Sequence, residues 1–381
     1  MEYILIFMCS VVVFAIAERQ RDKRIFWVLS AASLLMPCLL AAFRAEWIGR
    51  DVTHYLIPLM EQAKNANSYS AFLQTSWISS IGTLFTADYE YGFVFLVYAV
   101  TKLTGSIFVL QFVIQALVLV PVYIALYRNR QHQPIWLGML VFYLLFYNAS
   151  LNLMRQCIAM SILLLSFQML LEKKWIFTVV FALGALLFHT GAVIVIPVYG
   201  ICFVIYLLRN VKIGGKKFLI SGQMFACVLI TAICLVLVFN AQWLAQIASA
   251  VGLGQFSGYV TGGRTSFVLR ELLLRLPLLL IFIWRWKYFN ESPFAVFYLT
   301  MLLLDMGLSQ LSSVNPYSFR IGLFFSLYTV YSIPGIYGSL KAGKHKTITA
   351  IASIFWLVSY WGYLHTVLFL HQTYPYTSTF L

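Results

Sequence analysis

Apolar runs long enough to cross a lipid bilayer recur along the whole chain, and they constrain its fold more than any other feature. A spanning helix needs about 20 mainly apolar residues. We predict twelve spans, at about 3–17, 25–43, 105–127, 134–149, 156–171, 175–190, 192–208, 218–239, 267–284, 293–311, 321–338 and 347–370. Charged residues make up only 10% of the 381, too few to cover a soluble protein of this length. The sequence therefore predicts an all-α, polytopic protein with a single integral membrane domain over residues 1–381.

The positions of lysine and arginine predict how these spans are oriented. Basic residues concentrate in the cytoplasmic loops of membrane proteins, and six alternate loops hold 17 of the 26. All six lie on one side only if both termini lie on the other, so we predict an N-out, C-out topology. A thirteenth span at 91–103 would break this pattern, and we place that stretch in the outer interface. Two long outer segments result, at about 44–104 and 240–266.

Nine basic residues lie outside the cytoplasmic loops, and seven of them are arginines. They are Arg44, Arg50, Lys64, Lys102, Arg155, Arg264, Arg270, Arg275 and Arg320. A guanidinium grips phosphate oxygens with two parallel donors, whereas a topology signal is served equally well by lysine. These arginines are therefore candidates for binding an anionic headgroup, with ion pairs inside the bundle as the alternative. The net charge of +14 is explained by both sets, and we predict no nucleic-acid partner.

The stretch NLMRQCIAM brings an arginine to the outer mouth of the fifth span. The residues that share a helical face there, at spacings of three and four, are Asn152, Arg155, Gln156 and Ala159. A polar face with a small residue below it favours the wall of a cavity inside the bundle. Snorkelling of Arg155 to the lipid headgroups is the alternative.

The ninth and eleventh spans carry further outer charges. Glu271 and Arg275 are four residues apart and are expected to neutralise each other within one helix. Arg270 then has no partner on its own helix, which makes it the sharper candidate. Arg320 opens the eleventh span at the same depth.

Three residues on the outer side are candidates for acid–base chemistry. Asp51 stands before His54 and Tyr55, and capping of a helix is the alternative for its carboxylate. Glu90 lies in YEYGF, where an exposed loop acid is the alternative. His189 ends the sixth span, and an imidazole can deprotonate a hydroxyl; a buried structural histidine is the alternative. The region near the end of the last span resembles an ordinary aromatic belt.

These residues together suit a ligand with a diphosphate headgroup and a lipid tail, such as a glycan on a polyprenyl diphosphate. Arginines would stabilise the leaving diphosphate and a base would activate the acceptor hydroxyl. No DxD-like pair is present to hold a divalent ion. We therefore predict no metal and no cofactor, with the lipid bilayer and lipid-linked glycans as partners.

Five short motifs follow one another over most of the chain. They are R....IGRDVTHY (Arg44, Gly49, Asp51, Tyr55), EYGF (Glu90, Gly92, Phe93), NLMRQCIAMSI (Arg155, Gln156, Ala159), FHTGAVIVIPVY (Phe188, His189, Pro197) and a terminal YPY. Their order, and the number of spans between them, resembles the Wzy/EpsG-type polysaccharide polymerases of bacterial inner membranes. Arg50 departs from the pattern, which has a small polar residue there.

This resemblance implies polymerisation of polyprenyl-diphosphate-linked repeat units on the periplasmic face, in an architecture similar to membrane-embedded glycosyltransferases that use lipid-linked donors. The implied roles are diphosphate contacts for Arg155, Arg270 and Arg320, and orientation or deprotonation of the acceptor for Asp51, Glu90 or His189. We add Arg44, Tyr55 and Gln156 as substrate-binding candidates. Whether a chain-length regulator protein is a partner stays open.

Three other functions are compatible with parts of this pattern. An O-antigen ligase would need the same diphosphate grip. A flippase or other transporter would need charges through both leaflets, whereas most of the candidates lie at the outer ends. A membrane acyltransferase would rest on a histidine near the membrane surface.

Overall fold

The computed structural model describes residues 2–79, 82–215, 218–250 and 265–379. Nine helical stretches within these residues are long and apolar enough to cross a membrane: Lys23–Ala42, Ile107–Arg128, Ile135–Asn152, Met154–Leu171, Thr190–Asn210, Gly222–Phe239, Ala295–Ser313, Phe319–Ser339 and Lys344–Val367. The predicted all-α, polytopic class is therefore confirmed. The other three predicted spans are helical too: Glu2–Ala17 and Trp175–Leu186 are shorter, and Leu269–Phe289 carries five charged residues.

The chain divides into two compact units, Met1–Val193 with Leu357–Leu381 (unit 1) and Ile194–Trp356 (unit 2). The first ten helices lie in unit 1: α1 Glu2–Ala17, α2 Lys23–Ala42, α3 Ile57–Asn65, α4 Tyr69–Leu73, α5 Tyr91–Thr104, α6 Ile107–Arg128, α7 Ile135–Phe142, α8 Asn148–Asn152, α9 Met154–Leu171 and α10 Trp175–Leu186. A π-helical turn, Tyr143–Tyr147, joins α7 to α8, and another, Val52–Leu56, precedes α3.

The remaining helices begin in unit 2: α11 Val195–Leu207, α12 Gly222–Phe239, α13 Ala241–Ala250, α14 Leu269–Phe289, α15 Ala295–Leu308, α16 Phe319–Ser326, α17 Thr329–Ser339 and α18 Lys344–Gly362. The strands of the described residues form two antiparallel hairpins, β1 Ser76–Ser79 with β2 Gly82–Phe85, and β3 Lys212–Gly215 with β4 Phe218–Ser221. That both units form one membrane domain stays a prediction.

Local signals in the sequence explain where several of these helices begin and end. The Asp22 carboxylate accepts from the backbone N–H groups of Arg24 and Ile25 and so caps α2. Ser106 caps α6 in the same way, directly after Gly105 ends α5 with a left-handed φ of 63°. Each cap satisfies backbone groups that a helix end leaves unpaired.

Hydrogen bonds between helices stabilise the core of unit 1. They matter within a bilayer because the hydrophobic effect does little there to drive helices together. Pro37 lacks an N–H, so the carbonyl of Ser33 loses its helical partner. The Ser10 hydroxyl of α1 donates to that carbonyl at 2.8 Å, and the Tyr147 hydroxyl donates to the carbonyl of Pro37 at 2.6 Å. Hydrogen bonds between helices of this kind stabilise membrane bundles. They join α1, α2 and the turn after α7.

The structure describes more of the first long segment predicted on the outer side than of the second. The first holds α3, α4, the β1–β2 hairpin and α5, and α5 coincides with the stretch predicted as an interface helix at 91–103. The second begins with α13, but its glycine-rich part, 251–264, lies outside the described residues.

Candidate functional site

A close approach of backbone segments brings two of the predicted site residues together. The N–H of Gly92, at the start of α5, donates to the carbonyl of Leu187, just beyond the end of α10, at 2.8 Å. A Cβ on Gly92 would stand 2.7 Å from that carbonyl oxygen. Only glycine therefore fits here, and the contact brings Glu90 beside His189.

The Glu90 carboxylate is the centre of the resulting cluster. Its Oε1 lies 3.1 Å from the Nδ1 of His189 and accepts from the N–H of Thr190 at 3.1 Å. Its Oε2 accepts from the Nη1 of Arg155 at the start of α9. Its side chain is only 10% exposed. Three motifs far apart in the sequence thus meet at one carboxylate.

Aromatic rings hold the Arg155 guanidinium in place beside Glu90. Its Cζ lies 5.0 Å from the ring centroid of Tyr55 and 4.8 Å from that of Tyr89. Cation–π contacts of this length are stabilising, and more so when desolvated. The buried Nε of Arg155 has no hydrogen-bond partner among the described residues. The guanidinium therefore keeps donor capacity beyond its ion pair with Glu90.

The charge state of Glu90 gives it a different chemical role from that of His189. Burial raises the pKa of Glu90, but the hydrogen bond with His189 and the charges of Arg155 and His189 outweigh it and bring the pKa to about 2. Glu90 is therefore ionised at neutral pH and is a poor proton acceptor. The Glu90 carboxylate accepts a hydrogen bond from the N–H at Nδ1 of the ring, so a neutral His189 carries its lone pair on Nε2.

Asp51 lies next to this cluster, but not as the helix cap that its position suggested. Its side chain makes no capping bond, because Asp51 already has helical backbone angles. Its N–H instead donates to the Oδ1 of Asn152 at 3.0 Å. Gly49 permits this packing with a φ of 86°, since a Cβ there would stand 2.5 Å from the carbonyl oxygen of Leu151.

Tyr55 interacts electrostatically with both Asp51 and Arg155. Burial raises the pKa of Tyr55 well above its usual value, and the charge of Asp51 raises it further against the opposing effect of Arg155. The phenol is therefore neutral across the physiological range and remains a hydrogen-bond donor.

Two other candidates of unit 1 lie outside the Glu90 cluster. Gln156 is buried, and its amide nitrogen lies 3.8 Å from the sulfur of Met160 on the same helix. Arg44 is 2% exposed, and its Nη2 lies 3.7 Å from the Sδ of Met154. Arg155 therefore follows directly after the residue that Arg44 contacts.

Arg270 and Arg275 of unit 2 form ion pairs with the same carboxylate, that of Glu271. The predicted pair within α14 is confirmed, with Nη1 of Arg275 2.9 Å from Glu271, and Nε of Arg275 also reaches Asp305 of α15 at 2.7 Å. The expectation that Arg270 has no partner on its own helix is wrong, because its Nη2 lies 2.8 Å from Glu271. Arg320 stacks over the ring of Tyr317 at 5.3 Å.

Sequence reasoning missed the aromatic wall of the site. Tyr89 contacts Arg155, and the ring of Trp77, from β1, stacks on Tyr89 at 5.8 Å. The Trp77 indole N–H donates to the carbonyl of His54 at 3.3 Å and so fixes the hairpin on the site. The adjacency of Tyr89 to Glu90 in YEYGF was the one available signal.

The chemistry available at this site is proton transfer beside fixed positive charge. In the part of the chain that the structure describes, no three His, Cys, Asp or Glu side chains come together to hold a metal ion. Arg155 supplies positive charge, His189 supplies a ring nitrogen that can take a proton, and Glu90 orients both. The arrangement fits a reaction in which a hydroxyl loses a proton while an anion leaves.

Comparison with known proteins relates the chain to a family of known sequences. A family model described as the EpsG family matches residues 25–378. No curated protein and no solved structure matched the chain.

Proposed function

Because the chain belongs to the EpsG family, we propose that it is a membrane glycosyltransferase that joins polyprenyl-diphosphate-linked oligosaccharide repeat units into a polysaccharide. One observation carries this proposal: Glu90 joins Arg155 and His189 in one partly accessible cluster. An arginine and a base are the two groups that transfer from a diphosphate to a hydroxyl requires.

In the proposed reaction, the growing glycan leaves its carrier for the incoming unit. An acceptor hydroxyl gives its proton to Nε2 of His189, and its oxygen forms a bond to the anomeric carbon of the donor. The bond from that carbon to the diphosphate breaks, and its electron pair stays on the diphosphate oxygen. Arg155 stabilises the charge that develops there, while Glu90 holds the imidazole in the required tautomer.

We further propose that this site faces the periplasm of a bacterial inner membrane, in a protein of twelve spans with both termini outside. The positions of charges along α9 support this orientation. Arg155 opens the helix, and Glu172, directly after its last residue, pairs with Arg128 and Lys174 from two predicted cytoplasmic loops. Basic loop residues thus gather at the end of α9 opposite the site.

The test is a gel of surface polysaccharide from a strain that lacks the gene, with and without the gene restored. Loss of the ladder with a retained single-repeat band identifies a polymerase, because units are made and attached but not joined. Loss of every band above bare core would instead identify a ligase or flippase. An unchanged ladder with altered mass per repeat would identify an acyltransferase.

Variants restored in the same strain connect the gel to the site. We expect Glu90→Gln to keep the single-repeat band and lose the ladder, because it removes the charge that His189 and Arg155 share. Glu61→Gln is the matched control, since Glu61 lies on the exposed face of α3 in the same long segment. A full ladder from Glu90→Gln at normal protein level would reject this site.

A further inference from the structure

Arg44 is a buried cation without a counter-ion among the described residues. Arg44 is 2% exposed, yet none of the ion pairs among the described residues includes it. Its one hydrogen-bond acceptor there is the thioether of Met154, which is weak, and its buried Nε has none. An isolated charge carries a large free-energy penalty in such surroundings. We therefore expect a negatively charged group to compensate the charge of Arg44.

The tyrosines around Arg44 do not supply a compensating negative charge. Tyr3, Tyr55, Tyr147 and Tyr376 all interact with the guanidinium electrostatically. Burial lowers the pKa of Arg44 to about 10, so the guanidinium stays protonated at neutral pH. Three of the hydroxyls, those of Tyr3, Tyr147 and Tyr376, donate to backbone carbonyls instead. Arg44 is thus a buried positive charge among neutral tyrosine rings.

The segment that covers Arg44 comes from the far end of the chain. We call residues 369–379 the C-terminal strap. The N–H of Ala45 donates to the carbonyl of Thr377 at 2.9 Å, and the N–H of Thr379 donates to the carbonyl of Phe43 at 3.0 Å. Arg44 itself pairs with Ser378 as an isolated β-bridge. The strap therefore runs antiparallel to residues 43–45 and closes over them.

The beginning of the strap holds strained backbone. Phe369, His371 and Gln372 have φ values of 48°, 69° and 54°, in the left-handed region that residues other than glycine rarely adopt. Such residues cost free energy and cluster at ligand clamps and switch segments. Three of them within four positions single out the first residues of the strap as the place where it would bend if it opens.

We propose that Arg44 is a buried binding site for a phosphate or diphosphate group, and that the C-terminal strap opens to admit it. A phosphate oxygen would accept from the guanidinium donors that the described residues leave unused. Arg44 contacts Met154, the residue directly before Arg155, and Tyr55 interacts electrostatically with Arg44 while its ring contacts Arg155, so this site adjoins the Glu90 cluster. That the anion is the headgroup of the lipid-linked donor rests on the proposed function; that Arg44 binds phosphate chemistry does not.

The test uses the full chain in lipid nanodiscs, with inorganic pyrophosphate as the probe and the melting temperature as the readout. We expect pyrophosphate to raise the melting temperature relative to sodium chloride of equal ionic strength, because it binds the folded state. Arg44→Gln should abolish this rise and Arg44→Lys should reduce it. Absence of a rise in the parent protein, or an equal rise in Arg44→Gln, would overturn the proposal.

A second buried arginine provides the matched control. Arg285 is also 2% exposed, but it donates to the Thr349 hydroxyl at 2.7 Å and to the His345 carbonyl at 3.3 Å. Arg285→Gln should lower the melting temperature without changing the response to pyrophosphate. Loss of the response in this variant would show a general effect of instability and would count against Arg44.

A reversible lock tests the strap even if Arg44→Gln does not fold. Cysteines at Ala45 and Thr377 would join the strap to its partner segment, in a chain whose six native cysteines are replaced. The oxidised form should lose the pyrophosphate response and a reductant should restore it. An unchanged response in the oxidised form would show that the strap does not open.

The same experiment shows whether the anion that binds Arg44 is the headgroup of a lipid. Competition between pyrophosphate and a polyprenyl diphosphate would support the lipid headgroup, whereas no competition would overturn that source. The polysaccharide gel is independent of this measurement. A normal ladder with no pyrophosphate binding would reject the Arg44 site and leave the polymerase standing, and the reverse result would reject only the polymerase.

Discussion

Two charged clusters, one in each unit, differ in composition and in solvent exposure. In unit 1, one carboxylate, Glu90, joins a guanidinium and an imidazole from separate elements, with Arg155 24% and His189 23% exposed. In unit 2, one guanidinium, Arg275, joins two carboxylates, with Asp305 only 7% exposed. Both lie in a protein of spanning helices, where charges are costly and need a reason.

The difference separates charge that acts on a ligand from charge that holds helices together. In unit 2 the guanidinium is surrounded by acids, and the network connects α14 with α15. In unit 1 an imidazole is present, and the arginine has an unused buried donor among the described residues. Burial of a charge alone therefore does not indicate catalysis; the kind of groups and the elements that carry them do.

The largest expected effect is that of His189→Ala in unit 1. Removing a general base costs on the order of 10²–10⁴-fold in rate, and we expect chain extension to fall by this factor at normal protein level. Initial rates of extension on purified lipid-linked units would measure it. Activity within a few fold of the parent would assign His189 to structure.

Arg155→Ala should come next, with a fall on the order of 10²–10³-fold, the usual cost of one group that stabilises developing negative charge. Membrane insertion should stay intact, which fractionation of membranes would check. Arg155→Lys is the control for charge alone, and it should recover only part of the rate because lysine lacks the planar fork. Normal chains from Arg155→Ala would remove this residue from the reaction.

Arg275→Gln should have the opposite profile, with a large effect on stability and a small one on rate. It leaves the buried Asp305 without its cation, whereas Glu271 keeps its pair with Arg270. Removing one partner of a buried ion pair typically costs about 3–5 kcal/mol. The melting temperature in detergent and the rate per folded molecule would measure the two effects. The double variant with Asp305→Asn should recover part of the stability. A fall in rate at unchanged stability would make the two clusters alike.

The smallest effect concerns acid stability. The pKa of Glu90 is lowered from an ordinary value of 4.5 to about 2, so its ionised form stabilises the folded state. This contribution is complete above pH 4.5 and is lost as the pH falls toward 2. The difference in melting temperature between the parent and Glu90→Gln should therefore be constant from pH 7 to 5 and narrow below that. A difference that narrows between pH 7 and 5 would contradict the ionised state of Glu90.

The helices could be predicted from the sequence better than the site could. Length and hydropathy are local properties, so each predicted span has a helix at its position. The meeting of Glu90 with His189 depends on the backbone contact of Gly92 with Leu187, and no local pattern encodes which distant carbonyl a glycine approaches. Arg270 was misread because Glu271 was expected to pair with Arg275 alone, whereas it pairs with both arginines.

The strap was missed because its sequence looks like an ordinary membrane-interface segment. Its partners are backbone groups of residues 43–49, and the residue that it covers lies more than 300 positions away. Backbone pairing of this kind leaves no signature in side-chain composition. A solitary arginine directly after a span was the available hint, and snorkelling explains most such residues.

The position of the strap has a consequence for biosynthesis. Because it follows every predicted span in the chain, it leaves the ribosome after all of them, and residues 43–49 wait without their backbone partners until then. A chain shortened by a stop codon before residue 369 would insert its helices and yet leave Arg44 uncovered. Such a chain would keep nearly all of its predicted spans and yet lack the backbone partners of Phe43, Ala45 and Gly49.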